Sequence, residues 1–330
     1  MNVLVTGGAG YIGSHVIDML KVRGYGVYIY DNLTRGHRKA VPPGYLIEGD
    51  TADKEKLMEC FNMHSIEAVM HFAAHSQVGE SVNNPFLYYQ NNVVGGLSLL
   101  ESLLQSKVPY FIFSSSAAVY GEPQSVPIKE DHLLKPANPY GESKMIIENA
   151  LAYYYRAYKL KSVSLRYFNA AGARPGGYIG EDHFPETHLI PLIMQAILRE
   201  KKKITVYGND YPTADGTPVR DYVHVDDLAR AHVLALDALV EDRYAPVYNL
   251  GSGCGYSVLE VIKTAENIVG RPVPYKIGPR REGDPAVLVS SFQKAERELG
   301  WKPVYGLEHI LETAWRWHQS HPRGYSSYSN

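Results

Sequence analysis

Residues 6–13 read TGGAGYIG, between a short apolar run, NVLV, and an amphipathic stretch, SHVIDMLKVRG. Glycines at 7, 10 and 13 therefore sit where a strand turns into a helix. Each missing side chain has a use: a tight turn, close approach of the backbone to a pyrophosphate, and close contact of helix with sheet, the phosphates lying at the helix N-terminus. The next apolar run, GVYIY, ends at Asp31, near the spacing of about 20 residues at which such sites carry an acid. A carboxylate there accepts bonds from an adenosine ribose and repels a 2′-phosphate, which predicts NAD rather than NADP. Arg35 and Arg38, just downstream, would oppose that preference.

Outward from this turn the texture repeats. AVMHFAA, YFIFSSS and SVSLRYF are apolar runs separated by polar stretches of helical length. Such alternation predicts an α/β chain with a doubly wound parallel sheet, a Rossmann domain over residues 1–168. After Phe168 the segments NAAGARPGGYIGEDHFPETH and GNDYPTADGTPVRDYVHV are rich in Gly, Pro and turn formers, and alternate with helix-like stretches. They predict a smaller mixed α/β substrate-binding lobe over 169–330, with some later segments returning to the first domain. In GSGCGYSVLEVI the glycines suggest a second nucleotide loop, but Ser257 as a helix N-cap accounts for them more simply.

Composition narrows the function. Of 330 residues, 45% are hydrophobic and 21% charged, with a formal net charge of −2, which argues against a nucleic-acid or anionic-membrane partner. Cys60 and Cys254 form neither a disulfide framework nor a CxxC motif, so a reducing, cytoplasmic setting is expected. MNVLVTG has no basic leader, and no apolar run approaches the roughly 18 residues of a membrane span, so neither secretion nor membrane insertion is expected.

Residues 138–144, NPYGESK, place Tyr140 and Lys144 one helical turn apart on a shared face. A free phenol titrates near ~10 and is a poor base at neutral pH. A lysine ammonium about 4 Å away, at an effective dielectric near 20, contributes roughly 4 kcal/mol, enough to bring the phenol toward neutrality before desolvation opposes it. Just upstream, YFIFSSS ends at Ser114, Ser115 and Ser116, where the C-terminal edge of a parallel sheet holds ligands. One of these serines can bridge a substrate hydroxyl and the tyrosine; strand-end capping explains the other two.

The glycine spacing, the serine triplet and YxxxK, in this order, resemble the extended short-chain dehydrogenases/reductases. TGGAGYIGSH, YDNL, EGD, HFAA, NNVVGG, SSSAAVYG, NPYGESK, LRYFN, GNDYPTADGTPVRDYVHVDDLA and RREGDPA resemble, within them, the UDP-hexose 4-epimerases, over nearly the whole chain. The resemblance implies reversible UDP-galactose/UDP-glucose epimerisation through a 4-keto intermediate. It implies an NAD site of Gly7, Gly10, Tyr11, Ile12, Gly13, Asp31, Asn32, Asp50, Thr51, Phe72, Ala73, Ala74, Asn91, Ser114 and Phe168, with Tyr140 and Lys144. Tyr140 would be the acid/base, Lys144 its partner and a nicotinamide-ribose contact, and Ser116 a hydroxyl relay. Asn169, His188, Leu189, Tyr207, Arg220, Arg281, Asp284 and Leu288 fall at UDP-sugar positions, the arginines suiting a diphosphate. A homodimer built on a helix such as VVGGLSLLESLLQS is also implied.

Four departures carry information. Ser76 replaces a common lysine, Ala118 a common threonine and His188 a frequent asparagine. Leu288 stands where relatives restricted to unacetylated sugars tend to have tyrosine, which implies that UDP-GlcNAc and UDP-GalNAc also fit. Two rivals are weaker. A 4,6-dehydratase needs a carboxylate beside the serine, and Ser116-Ala117-Ala118 has none; a non-catalytic NAD-sensing protein needs no Tyr–Lys pair. His71 with His75 and His183 with His188 hint at metal chemistry, but no HExxH or Cys/His ligand set accompanies them, so no metal is expected.

Overall fold

A computed structural model describes residues 1–199, 203–281 and 283–327. In chain order the strands are β1 (Asn2–Thr6), β2 (Gly26–Asp31), β3 (Leu46–Glu48), β4 (Ala68–His71), β5 (Tyr110–Ser116), β6 (Lys161–Tyr167) and β7 (Asn169–Ala171). They continue with β8 (Ile204–Tyr207), β9 (Val219–His224), β10 (Val247–Leu250), β11 (Gly255–Ser257), β12 (Tyr275–Gly278) and β13 (Val287–Leu288). Seven of them form one sheet in the order β3-β2-β1-β4-β5-β6-β10, every neighbouring pair parallel. β4 is buried along its whole length and β5 and β6 nearly so, as strands covered by helices on both faces must be.

One face is covered by the helix Tyr11–Val22 and the helix Val225–Val240, which meet through Val16, Ile17, Leu20, Leu228, Ala231 and Leu236. The other face takes the helices Lys54–Met63, Gly95–Gln105 and Pro139–Tyr158 through Leu57, Phe61, Leu99, Leu103, Ile147 and Leu151. Strand order reverses between β1 and β4, so the crevice at their C-terminal ends is where an open parallel sheet receives a ligand. β10 and the helix Val225–Val240 show that segments beyond residue 169 build the first sheet layer.

A second core packs the helices Leu189–Arg199, Val258–Val269 and Leu307–Ser320 against Ile204, Val206 and Tyr222. β9 is central to a small sheet: β11 runs antiparallel to it, while β13 and β7 run parallel to its two halves. Ser257 does cap the helix Val258–Val269, and Glu260 completes the capping box. Among the described residues no helix is long and apolar enough to cross a membrane.

Buried histidines make the fold acid-sensitive. Burial pushes His71 and His224 down to about 3, and His232 and His318 down to about 4. Unfolded imidazoles titrate near ~6.5, so below that pH the unfolded chain binds protons that the folded chain refuses. Between about pH 6 and 4 each contributes a loss of roughly 1.4 kcal/mol per pH unit. Urea midpoints should therefore fall steeply over that window; a flat profile would contradict the neutral, buried state of these rings.

Candidate active site

Gly7 ends β1 with φ of +70°, and a Cβ there would lie 2.4 Å from the backbone nitrogen of Ala73. The turn after β1 and the segment Phe72-Ala73-Ala74 after β4 thus meet at the strand-order reversal. At Gly13 a Cβ would sit 2.5 Å from the Gly7 carbonyl oxygen, so only glycine lets the helix start this close to the turn. Gly10 caps that helix with no side-chain acceptor, and its first turn carries no acid, which leaves its amides available to an anion. Ile12 packs on the sheet's core and Thr51 is buried.

Asp31, at the end of β2, is buried and accepts from Ala9 N at 2.9 Å and Leu33 N at 2.8 Å. Burial raises its pKa, and those two backbone donors oppose the rise. Asn32 donates to Asp50 at 2.7 Å, joining the ends of β2 and the loop after β3. Asn91 donates to Asn92, which in turn holds His75 and Ser143. An anion seat, a carboxylate beyond the next strand and a polar rim suit a dinucleotide. Tyr11 differs from the rest: its hydroxyl donates to the Gly172 carbonyl at 2.6 Å and its ring meets His183 edge-on, so its side chain faces the second lobe.

Tyr140 lies in the first turn of the helix Pro139–Tyr158, which Asn138 caps by accepting from Gly141 N at 2.9 Å. The phenol is buried beside Ser116, the last residue of β5; Phe168 is buried just beyond β6. Lys144 shares the helix face but does not sit on the phenol. Its ammonium donates to the Ser114 carbonyl at 2.8 Å and lies 5.8 Å from the Tyr140 ring centre. The expected fall in the phenol's pKa is therefore corrected: burial raises it, and Ser116 only opposes the rise. Burial also pushes Lys144 down to about 7, with Glu148 resisting. Desolvation is the largest cause of both shifts because both groups are enclosed.

The small sheet brings together three of the expected substrate residues, Asn169, Arg220 and Leu288. Arg220 on β9 pairs in register with Leu288 on β13, and Asn169 on β7 pairs with Tyr222 two residues along. Leu288 packs against the cluster of Ala117, Val119, Tyr120, Ile128 and Phe168, which adjoins Ser116. Arg220 forms an ion pair with Asp284, and the Arg281 guanidinium lies 4.0 Å from the centre of the Tyr207 ring. Leu189 opens the helix Leu189–Arg199. His188, one residue earlier, turns Nδ1 to Glu181 at 2.5 Å, among His183 and Glu186.

Sequence reasoning missed a buried support behind the serines. Glu148 accepts from Ser115 Oγ at 2.5 Å and from the Arg166 guanidinium at 2.5 to 3.1 Å; Arg166 also donates to Tyr120, and Tyr120 to Asn249. The only trace in the sequence was that Glu148 follows Lys144 by one more helical turn. Glu181 and Glu186 were missed as well, although GEDHFPETH packs five Asp, Glu and His residues into a short loop, four of which cluster.

A doubly wound sheet with a dinucleotide crevice, and a serine, tyrosine and lysine converging beside it, defines a nicotinamide-dependent enzyme of the short-chain dehydrogenase/reductase type. The model of the NAD dependent epimerase/dehydratase family matches residues 3–251. The UDP-glucose 4-epimerase of Halalkalibacterium halodurans is 50% identical over 99% of this chain and 98% of its own. The UDP-glucose 4-epimerase of Bifidobacterium longum, solved with NAD+ and UDP, superposes with a TM-score of 0.92 at 40% identity, over 98% of this chain and 100% of that one. The UDP-Glc/GlcNAc 4-epimerase of Campylobacter jejuni superposes at 0.83 with 38% identity, over 97% and 99%. The chain belongs to the NAD dependent epimerase/dehydratase family, among its UDP-glucose 4-epimerases.

Proposed function

We propose that the chain interconverts UDP-galactose and UDP-glucose by NAD-dependent inversion at C4 through a 4-keto sugar. The carrying observation is Tyr140, buried beside Ser116 at the C-terminal edge of the sheet and one helical turn from Lys144, with the Arg220 and Leu288 strands alongside. Residues 1–168, with the later segments that rejoin their sheet, hold NAD through the glycine turn, Asp31 and the Asn32–Asp50 rim; residues 169–330 hold the UDP-sugar. When bound, NAD would supply, in its oxidised form, the acceptor for the C4 hydride and a positive charge that favours a phenolate, and, once reduced, the donor that returns the hydride. Tyr140 takes the C4 hydroxyl proton, directly or through Ser116, and gives it back. Arg220 and Arg281 anchor the diphosphate, so that the hexose, held more loosely, can turn its other face to the same site.

Proton NMR of the purified protein with UDP-galactose, first without and then with added NAD, tests this directly. Growth of the UDP-glucose anomeric signal to a fixed ratio is expected; silence in both tubes would reject the reading.

N-acetyl sugars fit the same site in this reading. Leu288 is half-buried against the cluster that holds Ala117 and Phe168, and a tyrosine there would bring a larger side chain into that region. The Campylobacter jejuni relative, named for both UDP-Glc and GlcNAc, supports such breadth in the family. Leu288→Tyr should lower kcat/KM for UDP-GlcNAc by at least about 10-fold, while UDP-glucose turnover changes little, since steric exclusion in a pocket is of the order of 1–3 kcal/mol. Equal loss on both substrates would remove Leu288 as the gate.

The enzyme is a cytoplasmic homodimer in this proposal. Val94 and Leu97, at the start of the helix Gly95–Gln105, and Tyr153 on the helix Pro139–Tyr158 are apolar and exposed, and a second copy of the chain would cover them. A single-chain mass by light scattering would refute the dimer.

A further inference from the structure

The loop 181–188 holds a cluster of which only His188, at an expected UDP-sugar position, has a part in the proposed epimerase site. One ligand atom from each of Glu181, His183, Glu186 and His188 lies within 4.8 Å of the others. His183 Nδ1 stands 3.4 Å from Glu181 Oε1 and 3.6 Å from Glu186 Oε2, and His188 Nδ1 stands 2.5 Å from Glu181 Oε1 and 4.0 Å from Glu186 Oε1. Two donor atoms on one zinc ion, at 2.0–2.1 Å in a tetrahedron, are about 3.4 Å apart. The two His183 spacings are therefore close to tetrahedral edges, and the 4.0 Å from His188 is measured to the Glu186 oxygen that the backbone amides hold, so His188 has to shift to join them. The short His188–Glu181 contact would open by roughly 1 Å, and the His188 side chain, 45% exposed, has room to move.

A second observation points the same way. His183 Nδ1 and Glu186 Oε2 are both buried, both lack a hydrogen-bond partner, and stand 3.6 Å apart within the cluster. Buried polar atoms are nearly always satisfied, so a pair of orphans this close marks a missing bonding partner. Glu186 Oε1, by contrast, is held by the backbone amides of Thr187 and His188 at 2.8 and 2.9 Å, which fixes the carboxylate with its free oxygen inward. The surrounding backbone is also pinned. The carbonyls of Phe184 and Pro185 accept from Arg35 and Gln77 at 2.8 and 2.7 Å, and His37 Nε2 lies 3.0 Å from the Asp182 carbonyl.

We propose that Glu181, His183, Glu186 and His188 form a structural site for a divalent metal ion of the zinc class. Two carboxylates and two neutral imidazoles give such an ion a neutral, tetrahedral N2O2 shell. All four positions are filled by protein, so the site leaves no place for a reactive water and is a brace, not a hydrolytic centre. It clamps the loop that carries Tyr11's neighbour His183 and the start of the helix Leu189–Arg199, joining the cofactor-side turn to the substrate-side lobe.

The test uses chelator-dialysed full-length protein titrated with Co2+ and then with Zn2+, and it does not depend on the epimerase reading. One equivalent of cobalt per chain is expected, with the intense visible bands of tetrahedral Co2+, displaced by one equivalent of zinc and accompanied by a rise in Tm. His188→Ala and His183→Ala should each weaken binding more than the roughly 10–100-fold that follows loss of an outer-shell partner. His188 is exposed enough that its variant should fold, and the wild-type titration stands without either variant. Failure to bind one equivalent, or binding that survives both substitutions, would overturn the proposal and leave a water molecule to join the two orphaned atoms.

Discussion

Tyr140→Phe should lower kcat by about 10²–10⁴-fold, the range that a positioned acid/base contributes, while leaving UDP binding within a few-fold of the parent. The substitution removes one oxygen from a buried ring beside Ser116, and leaves the Arg220–Asp284 pair and the Arg281–Tyr207 contact in place. Ground-state binding rests on those residues, so the loss belongs to the transition state. Calorimetric titration with UDP and a progress curve with UDP-galactose separate the two. The pH profile gives a further sign. Turnover needs the phenolate, burial raises the phenol's pKa, and wild-type kcat should therefore fall as pH drops; the phenylalanine variant should lose that limb. A variant turning over at near-parental rate would require another base.

Glu148→Ala should be the most destabilising single change near the site, by about 3–5 kcal/mol, because it leaves the buried Arg166 charge without its partner. Both side chains are less than a tenth exposed, and the carboxylate accepts three bonds from the guanidinium and one from Ser115. The effect reaches the chemistry through two routes. Ser115 lies between Ser114, whose carbonyl holds Lys144, and Ser116, which lies beside Tyr140. Glu148 also opposes the fall in the Lys144 pKa, so its loss should lower that pKa further. Chemical denaturation measures the first effect. A double change that also replaces Arg166 with Met should recover part of the loss, since a buried ion pair is costly mainly when halved. A cost near zero for Glu148→Ala would mean that water already reaches the pair.

Much of the architecture was legible because its causes are local. The glycine turn works through backbone sterics, which three residues specify: Gly7 adopts φ of +70°, and Gly13 leaves no room for a Cβ. Continuous apolar runs mark strands covered on both faces, and β4, β5 and β6 are such strands. Tyr140 and Lys144 share a helix face because helical spacing is a short-range property. Asn138 and Ser257 cap their helices for the same reason.

Other features depend on contacts between distant segments. β10 joins β6 from about 80 residues away, as apolar segments of a long chain do when they complete a sheet layer. The direction of the Lys144 ammonium followed from where the Ser114 carbonyl lies, and the rise of the Tyr140 pKa from enclosure by elements that a seven-residue motif does not contain. The Arg220–Leu288 register and the Glu148–Arg166 pair join residues whose separation along the chain carries no periodic signal. By itself, then, the sequence determined the turn, the strand and helix pattern and the identity of the reacting side chains, since dihedral limits and periodicity act within a few residues. Only the tertiary structure decided which charges are desolvated, which way they point, and that two histidines and two glutamates of one loop face a common centre, because burial and long-range contact are properties of the assembled chain.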